Sequence, residues 1–245
     1  MRYLILSDIH GNWEALEAVL ASAGDETVDQ VLVLGDLVGY GGGPNEVVDA
    51  VRRRAERVVR GNHDKVVAKL DDGEGFNSVA LAAARWTTEV LSDENLSYLR
   101  DLDQGPVEIR DGVNLCHGSP LDEDEYVVGL DGAEHVFAVF PGRLTFFGHT
   151  HLPMVFVAGA DGIHGAALEG EDFTLAVDPE NRYLVNPGSV GQPRDRNPQA
   201  GYLIYDSERG EIRWRRCDYE LEKAQRRILD AGLPQILAYR LAAGI

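Results

Sequence analysis

Five times along this chain a short, mostly apolar run stops at a cluster of glycine, aspartate and histidine. Tyr3 to Leu6 stops at Ser7-Asp8-Ile9-His10, Val31 to Leu34 at Gly35-Asp36, and Arg57 to Arg60 at Gly61-Asn62-His63-Asp64. Val113 to Leu115 stops at Cys116-His117-Gly118, and Leu144 to Phe147 at Gly148-His149-Thr150-His151. Such runs are the pattern of strands buried on both faces. Helical patterns fill the first two gaps. One runs from Trp13 to about Ala23, with Asn12 placed to cap it; the other covers roughly Asn45 to Arg54, entered through Pro44. Strand, helix, strand, helix, strand predicts a parallel sheet with crossover helices, a doubly wound α/β arrangement. Ligands bind such sheets beyond the carboxyl ends of the strands, where all five clusters fall.

The rest of the chain carries fewer signals. Residues 76–101 read as helical, with a second short helix from Asp93-Glu94 to near Leu99, and the stretch from about 70 to 101 reads as an insert or lid. A hairpin is expected around Arg110-Asp111-Gly112. Residues 121–131 are acidic loop, and a short helix covers about 133–140. Met154 to Ala158 and Glu171 to Leu175 read as strands separated by a glycine-rich loop over 159–170. A strand from Arg182 leads into Asn186-Pro187-Gly188-Ser189-Val190-Gly191-Gln192-Pro193-Arg194. A hairpin spans 202–215, and helices close the chain over about 219–242. We read residues 1–245 as one domain.

Charge and cysteine content narrow the function. With 41 acidic against 23 basic residues the formal charge is −18, which argues against an extended nucleic-acid partner. Two cysteines, Cys116 and Cys217, are too few for a disulfide framework, so a reduced, cytoplasmic protein is expected. No apolar run is long enough to span a bilayer, and no membrane partner is expected.

Five of the seven histidines lie in the strand-end clusters; His135 and His164 lack that context. Any one cluster is unremarkable as a turn or capped loop. Five of them, with Asp8, Asp36 and Asn62, require a common purpose. Imidazole with carboxylate, and no cysteine cluster, suits Mn, Fe, Zn or similar divalent ions rather than a structural zinc or iron–sulfur site. Enough ligands exist for two ions. Two ions bridged by one carboxylate are a standard means of phosphoester hydrolysis. Strand alternation turns Cys116 away from its neighbour His117.

In order and spacing, the five clusters resemble the signature blocks of the calcineurin-like metallophosphoesterases, and the 186–194 segment is similar to one in that family's small bacterial branch. The resemblance covers the chain to about residue 216. It implies an αββα sandwich of two mixed β-sheets flanked by helices. It implies that Asp8, His10 and His151 hold one metal, that Asn62, His117 and His149 hold a second, and that Asp36 bridges them. Manganese, iron, zinc and nickel are the candidate ions. It further implies attack by a metal-bound hydroxide, with His63 contacting the phosphate or protonating the leaving group, Asn62 close to the phosphate, and Asp64 orienting His63.

Three residues stay open between two readings. Arg194 either holds a phosphate or pairs with Asp195; Tyr40 either lines the pocket or packs its own loop; Asn12 either approaches the substrate or caps the helix. The family's protein phosphatases and diadenosine-polyphosphate hydrolases usually carry Gly-Asp-x-x-Asp-Arg-Gly. Here the stretch is Gly35-Asp36-Leu37-Val38-Gly39-Tyr40-Gly41, without the second aspartate and the arginine. A small phosphodiester or nucleotide is the expected substrate. The alternatives are a phosphoprotein or phosphomonoester phosphatase and, in another class, a non-catalytic metal-binding scaffold. The sequence leaves the oligomeric state open.

Overall fold

The structure, a computed structural model, describes residues 1–24 and 27–245. The first apolar run forms β1 (Arg2–Leu6), whose alternate side chains face two different cores. Leu4 and Leu6 enter one hydrophobic cluster, and Tyr3 and Ile5 another. A strand's two-residue period requires that split, and a strand split this way lies in the interior of a layered structure. The chain continues through α1 (Trp13–Gly24), β2 (Gln30–Val33), α2 (Pro44–Arg54) and β3 (Ala55–Val58). β1, β2 and β3 are parallel, as the crossover pattern predicts. Asn12 caps α1, its Oδ1 accepting from the Ala15 amide at 3.1 Å.

Three helices follow: α3 (Asn62–Val67), α4 (Ser78–Val90) and α5 (Asp93–Arg100). Asn77 and Ser92 cap α4 and α5 through side-chain oxygens. After them come β4 (Val107–Arg110), β5 (Val113–Leu115), α6 (Gly129–Val139), β6 (Leu144–Phe146), β7 (Pro153–Gly159), β8 (Gly162–Ala167) and β9 (Asp172–Ala176). The chain closes with β10 (Arg182–Pro187), β11 (Ala200–Asp206), β12 (Glu211–Cys217), α7 (Leu221–Asp230) and α8 (Gln235–Ala243).

The strands form two mixed sheets, ordered β3-β2-β1-β11-β12-β9 and β4-β5-β6-β10-β7-β8. This corrects the doubly wound reading and agrees with the architecture the family resemblance implies. The reason lies beside β1. There β11 pairs antiparallel, with Leu4 opposite Ile204, so the late hairpin occupies the place where a doubly wound sheet would grow. The inner face of the first sheet (Ile5, Leu32, Leu34, Trp214) is then covered by Leu115, Leu144, Phe146 and Val185 of the second. Each such side chain contributes roughly 1.5–3 kcal/mol when fully buried. Helices α1, α2 and α5 cover the outer face of the first sheet, and α6 covers the second. The result is four layers.

The glycine-rich stretch 159–170, expected as loop, contains β8 instead, paired with β7. β8 is an exposed edge strand, so no buried face marks it with alternating apolar residues. At the carboxyl end, α7 and α8 pack on each other and join a cluster with Tyr40, Ala80 and Ala83. Arg227 of α7 ties this pair to α1 through Glu14 at 3.1 Å. No helix among the described residues is long and apolar enough to cross a membrane.

Candidate metal centre

After β1, β2 and β6 the ligands are delivered by an abrupt change of backbone direction. Among the described residues nine non-glycine positions have left-handed backbone, and six of them are Asp8, His10, Asp36, Tyr40, His149 and His151. That conformation is uncommon for residues with a side chain and costs about 1 kcal/mol or more at each position. Here it turns polar side chains from consecutive loops back towards one point. Two glycines make room. A Cβ on Gly61 would strike the Asp36 carboxylate, and one on Gly148 would strike the Ser7 hydroxyl.

Two groups of buried ligands result. Asp8, His10, Asp36 and His151 form one, and Asp36, His117 and His149 form the other. Asp36 belongs to both. Its Oδ2 lies 3.4 Å from His10 Nε2 and 3.5 Å from His117 Nε2, midway between the groups. Asp8 Oδ1 is 3.2 Å from His151 Nε2. Asn62 Oδ1 is 3.1 Å from His117 Nε2, so the asparagine stands at the second group.

The surroundings hold these ligands in fixed orientation. His10, His117 and His151 each direct Nδ1 at a backbone carbonyl, of Val38 (3.0 Å), Leu34 (2.8 Å) and Gln192 (2.5 Å). Donation there puts the proton on Nδ1 and leaves Nε2 as a lone pair facing the cluster. His10 Nε2 and His151 Nε2 then meet at 3.1 Å, and His117 Nε2 and His149 Nδ1 at 3.1 Å. Lone pairs brought this close need a cation between them. The titration behaviour agrees. Burial alone would raise both carboxylates, yet neighbouring imidazoles (His151 for Asp8, His117 for Asp36) hold them well below the usual range. Burial likewise works to lower His117, but Asp36 pushes it up to about 10, so that without a metal a proton on Nε2 supplies the positive charge that an ion would otherwise bring. Buried His149 falls to about 3. Two buried carboxylates therefore demand positive charge. His149 Nε2, also buried, has no hydrogen-bond partner among the described residues. The donor set fits metal ions of the class that its mixed nitrogen and oxygen chemistry predicts.

Comparison with known proteins agrees. Residues 1–210 match the calcineurin-like phosphoesterase superfamily domain. The chain belongs to that superfamily. It is therefore a metal-binding hydrolase of phosphoesters. A metallophosphoesterase structure from Sphaerobacter thermophilus is 39% identical, with a TM-score of 0.87 over 100% of this chain and 99% of that one. An uncharacterized protein of Methanocaldococcus jannaschii is 36% identical over 98% of this chain and 97% of its own length. The structure of a hypothetical protein from Pyrococcus horikoshii, 22% identical, shares the fold, with a TM-score of 0.79 over 100% of this chain and 98% of that one.

As in the sequence pattern of the superfamily, His63 follows Asn62, but the two open α3 rather than form a free turn. The His63 amide donates to Asp36 Oδ1 at 2.9 Å, which fixes the shared carboxylate from the other side. Asp64 does not orient the His63 ring. Its Oδ1 accepts from the Leu37 and Val38 amides (2.9 and 3.3 Å) and its Oδ2 from the Gly61 amide (3.0 Å). The carboxyl group is committed to clipping the Asp36 loop to the start of α3. Burial, with Asp36 nearby, pushes it up to about 7. His63 Nδ1 lies against Gly39 without a partner, which leaves Nε2 for the cavity.

A cavity of about 380 Å³ opens beside the cluster, within the usual range for small-molecule sites. Asp36, Asn62, His63, His149, His151 and Arg194 line its inner end. Arg194 is not paired with Asp195, because Asp195 is held by Arg216. Arg194 donates to the Gln192 side chain at 3.3 Å, and among the described residues its buried Nε has no hydrogen-bond partner. Tyr40 lines the cavity too, with ring centroids 4.6 Å from His10 and 4.4 Å from His63. Asn12 does not approach the substrate space; both ends of its amide are spent, on the α1 cap and on the Gly191 carbonyl at 2.9 Å. Cys116 faces the α6 cluster, as strand alternation predicts.

Sequence reasoning missed Phe76, whose ring lies 4.5 Å from His63, and Tyr126, whose ring lies 3.8 Å from His149. Both sit in loops with no periodic pattern. Tyr126 does follow the acidic run 122–125, and that run anchors it: Arg60 binds Glu123 through two contacts of 2.9 Å. Lys65 binds Asp124 at 2.5 Å.

Proposed function

We propose that this chain is a dinuclear metal-dependent phosphoesterase acting on a small phosphodiester or nucleotide. The observation that carries the proposal is the sharing of Asp36 by two ligand groups. Asp8, His10 and His151 would hold one ion, and Asn62, His117 and His149 the other. Ions of the manganese, iron, zinc or nickel type supply Lewis-acid polarisation of the phosphoryl oxygens and lower the pKa of water.

The protein's own groups do the rest. Arg194, with its buried and unpartnered Nε, sets a guanidinium against the phosphoryl charge at the inner end of the cavity. Buried His63 is neutral at pH 7, its pKa lowered to about 4. It therefore meets the leaving oxygen as an Nε2–H donor, not as an imidazolium. Tyr40 packs against both the His10 and the His63 ring and walls the cavity. Departure from the phosphatase-type loop at residues 37–41 supports a diester over a phosphoprotein.

The test is hydrolysis of bis(p-nitrophenyl) phosphate with manganese, nickel, zinc and iron supplied in turn. Replacing His63 by Gln is expected to lower kcat by about 10²–10³ with metal content retained, the range of a positioned proton donor. Turnover unchanged in that variant would remove the role given to His63.

A further inference from the structure

The helix pair α7–α8 begins beyond residue 210, where the superfamily domain ends. It nevertheless reaches the cavity wall at two places. The first is the loop after Asp36. Tyr40 shares an apolar cluster with Ile228 of α7 and with Leu237 and Leu241 of α8. A Cβ on Gly42 would strike the Arg227 carbonyl oxygen at 2.7 Å, so the loop runs in backbone contact with α7. The Arg240 guanidinium of α8 stands over the Tyr40 ring, 5.8 Å from its centroid. The second place is the segment that carries Arg194. The Arg196 amide donates to the Gly244 carbonyl at 2.8 Å. Gly244 closes α8 in left-handed backbone, and a Cβ there would lie 2.6 Å from the Asn197 nitrogen. Arg240 Nε donates to the Ile245 carbonyl at 2.8 Å, so the guanidinium is tied to the same turn that holds residues 196–197.

Tyr40 thus stands between two arginines, and the charges are close enough to act on one another. Burial lowers Arg240, and the Arg194 charge lowers it further. Burial raises the Tyr40 hydroxyl, and both arginines work against that rise. Asp195 does not hold Arg194, being taken by Arg216. Two things set the direction of Arg194 instead: a backbone tied to Gly244, and repulsion from a second guanidinium that is itself anchored. An anion at the Asp/His cluster relieves that repulsion. Resting on the phosphoesterase reading above and its use of Arg194, we propose that Arg240 is a positioning residue. From α8 it braces Tyr40 and turns the Arg194 guanidinium towards the phosphate. The carboxyl-terminal helix pair is therefore a working part of the substrate site.

The experiment measures calorimetric binding of inorganic phosphate to the manganese-loaded protein in a cycle of four chains: unaltered, Arg194→Ala, Arg240→Met and the double variant. Methionine keeps an unbranched stem beside Tyr40 and removes the charge. Arg240→Met is expected to weaken phosphate about fivefold with metal content retained, a coupling usual for neighbouring side chains. In the Arg194→Ala background the same substitution is expected to cost less than about twofold, because Arg240 acts through Arg194. With bis(p-nitrophenyl) phosphate the Arg240→Met loss should fall on KM more than on kcat. Unchanged phosphate affinity in Arg240→Met would overturn the inference. So would an equal loss in both backgrounds, since Arg240 would then attract the anion by itself. The parent reading fails separately, if bis(p-nitrophenyl) phosphate is not hydrolysed with any metal; the phosphate cycle is read in either case.

Discussion

The two ends of the cavity are built on opposite principles. At the inner end most ligands leave buried strands, and three imidazoles have their second nitrogen held by backbone: His10 by Val38, His117 by Leu34, His151 by Gln192. At the outer end, where Asp71, Asp72 and Glu74 line the cavity, the wall is loop; Phe76 and Tyr126 reach from such loops onto His63 and His149, and Tyr126 is 53% exposed. The inner end is fixed before any ligand arrives and tolerates strained backbone because packed layers on both sides hold it. The outer end is where loops change without disturbing the sheets, and so it is the natural place for substrate choice. Chemistry and specificity are thus separable in this chain.

Loss of the shared ligand has the largest expected effect. Asp36→Ala is expected to reduce kcat/KM by about a thousandfold, several kcal/mol of transition-state stabilisation. Metal analysis of the purified variant should find both groups depleted. Removing metal from the unaltered protein by chelation comes next. It leaves the Asp8 and Asp36 carboxylates with imidazole as their only counterpart, so calorimetry should record a Tm lower by about 10 °C. A Tm indifferent to chelation would mean that the inner end does not need metal to be held.

Asp64→Asn probes the clip between the Asp36 loop and α3. An amide can point at most one oxygen at the three N–H groups the carboxyl now serves, and about 2 kcal/mol is expected to be lost. In a chain of this size that is a Tm shift of about 5 °C, seen in thermal melts, with metal still bound. Smallest is Tyr126→Ala. It should raise KM a few-fold and leave Tm nearly unchanged, since surface substitutions are usually within about 0.5 kcal/mol. If Tyr126→Ala instead released metal, the two ends would be one unit.

The same division explains what the sequence revealed. Asp8, His10, Asp36, His117, His149 and His151 were legible because each follows a buried strand, and a buried strand announces itself as an apolar run. The crossover order of β1, β2 and β3 was legible for the same reason. Not legible from the runs alone was the second sheet, because β11 declares only at the level of pairing that it lies beside β1. The family resemblance supplied what periodicity lacked. The edge strand β8 was hidden by exposure and glycine. Asp64 was misassigned because a carboxylate next to a site histidine is a familiar orienting pair, whereas the amides that claim it come from Leu37 and Val38, 27 and 26 residues away. Phe76 and Tyr126 left no signal at all, since a loop aromatic becomes part of a site only by where the loop is tied.

The central claim is that Asp36 serves two ions at once. The direct test is manganese stoichiometry together with electron paramagnetic resonance on the loaded protein. Two ions per chain with a spin-coupled signal are expected, reduced to one uncoupled ion in His149→Ala by loss from the His117 group, and in His151→Ala by loss from the Asp8–His10 group. A single uncoupled ion in the unaltered chain would contradict it.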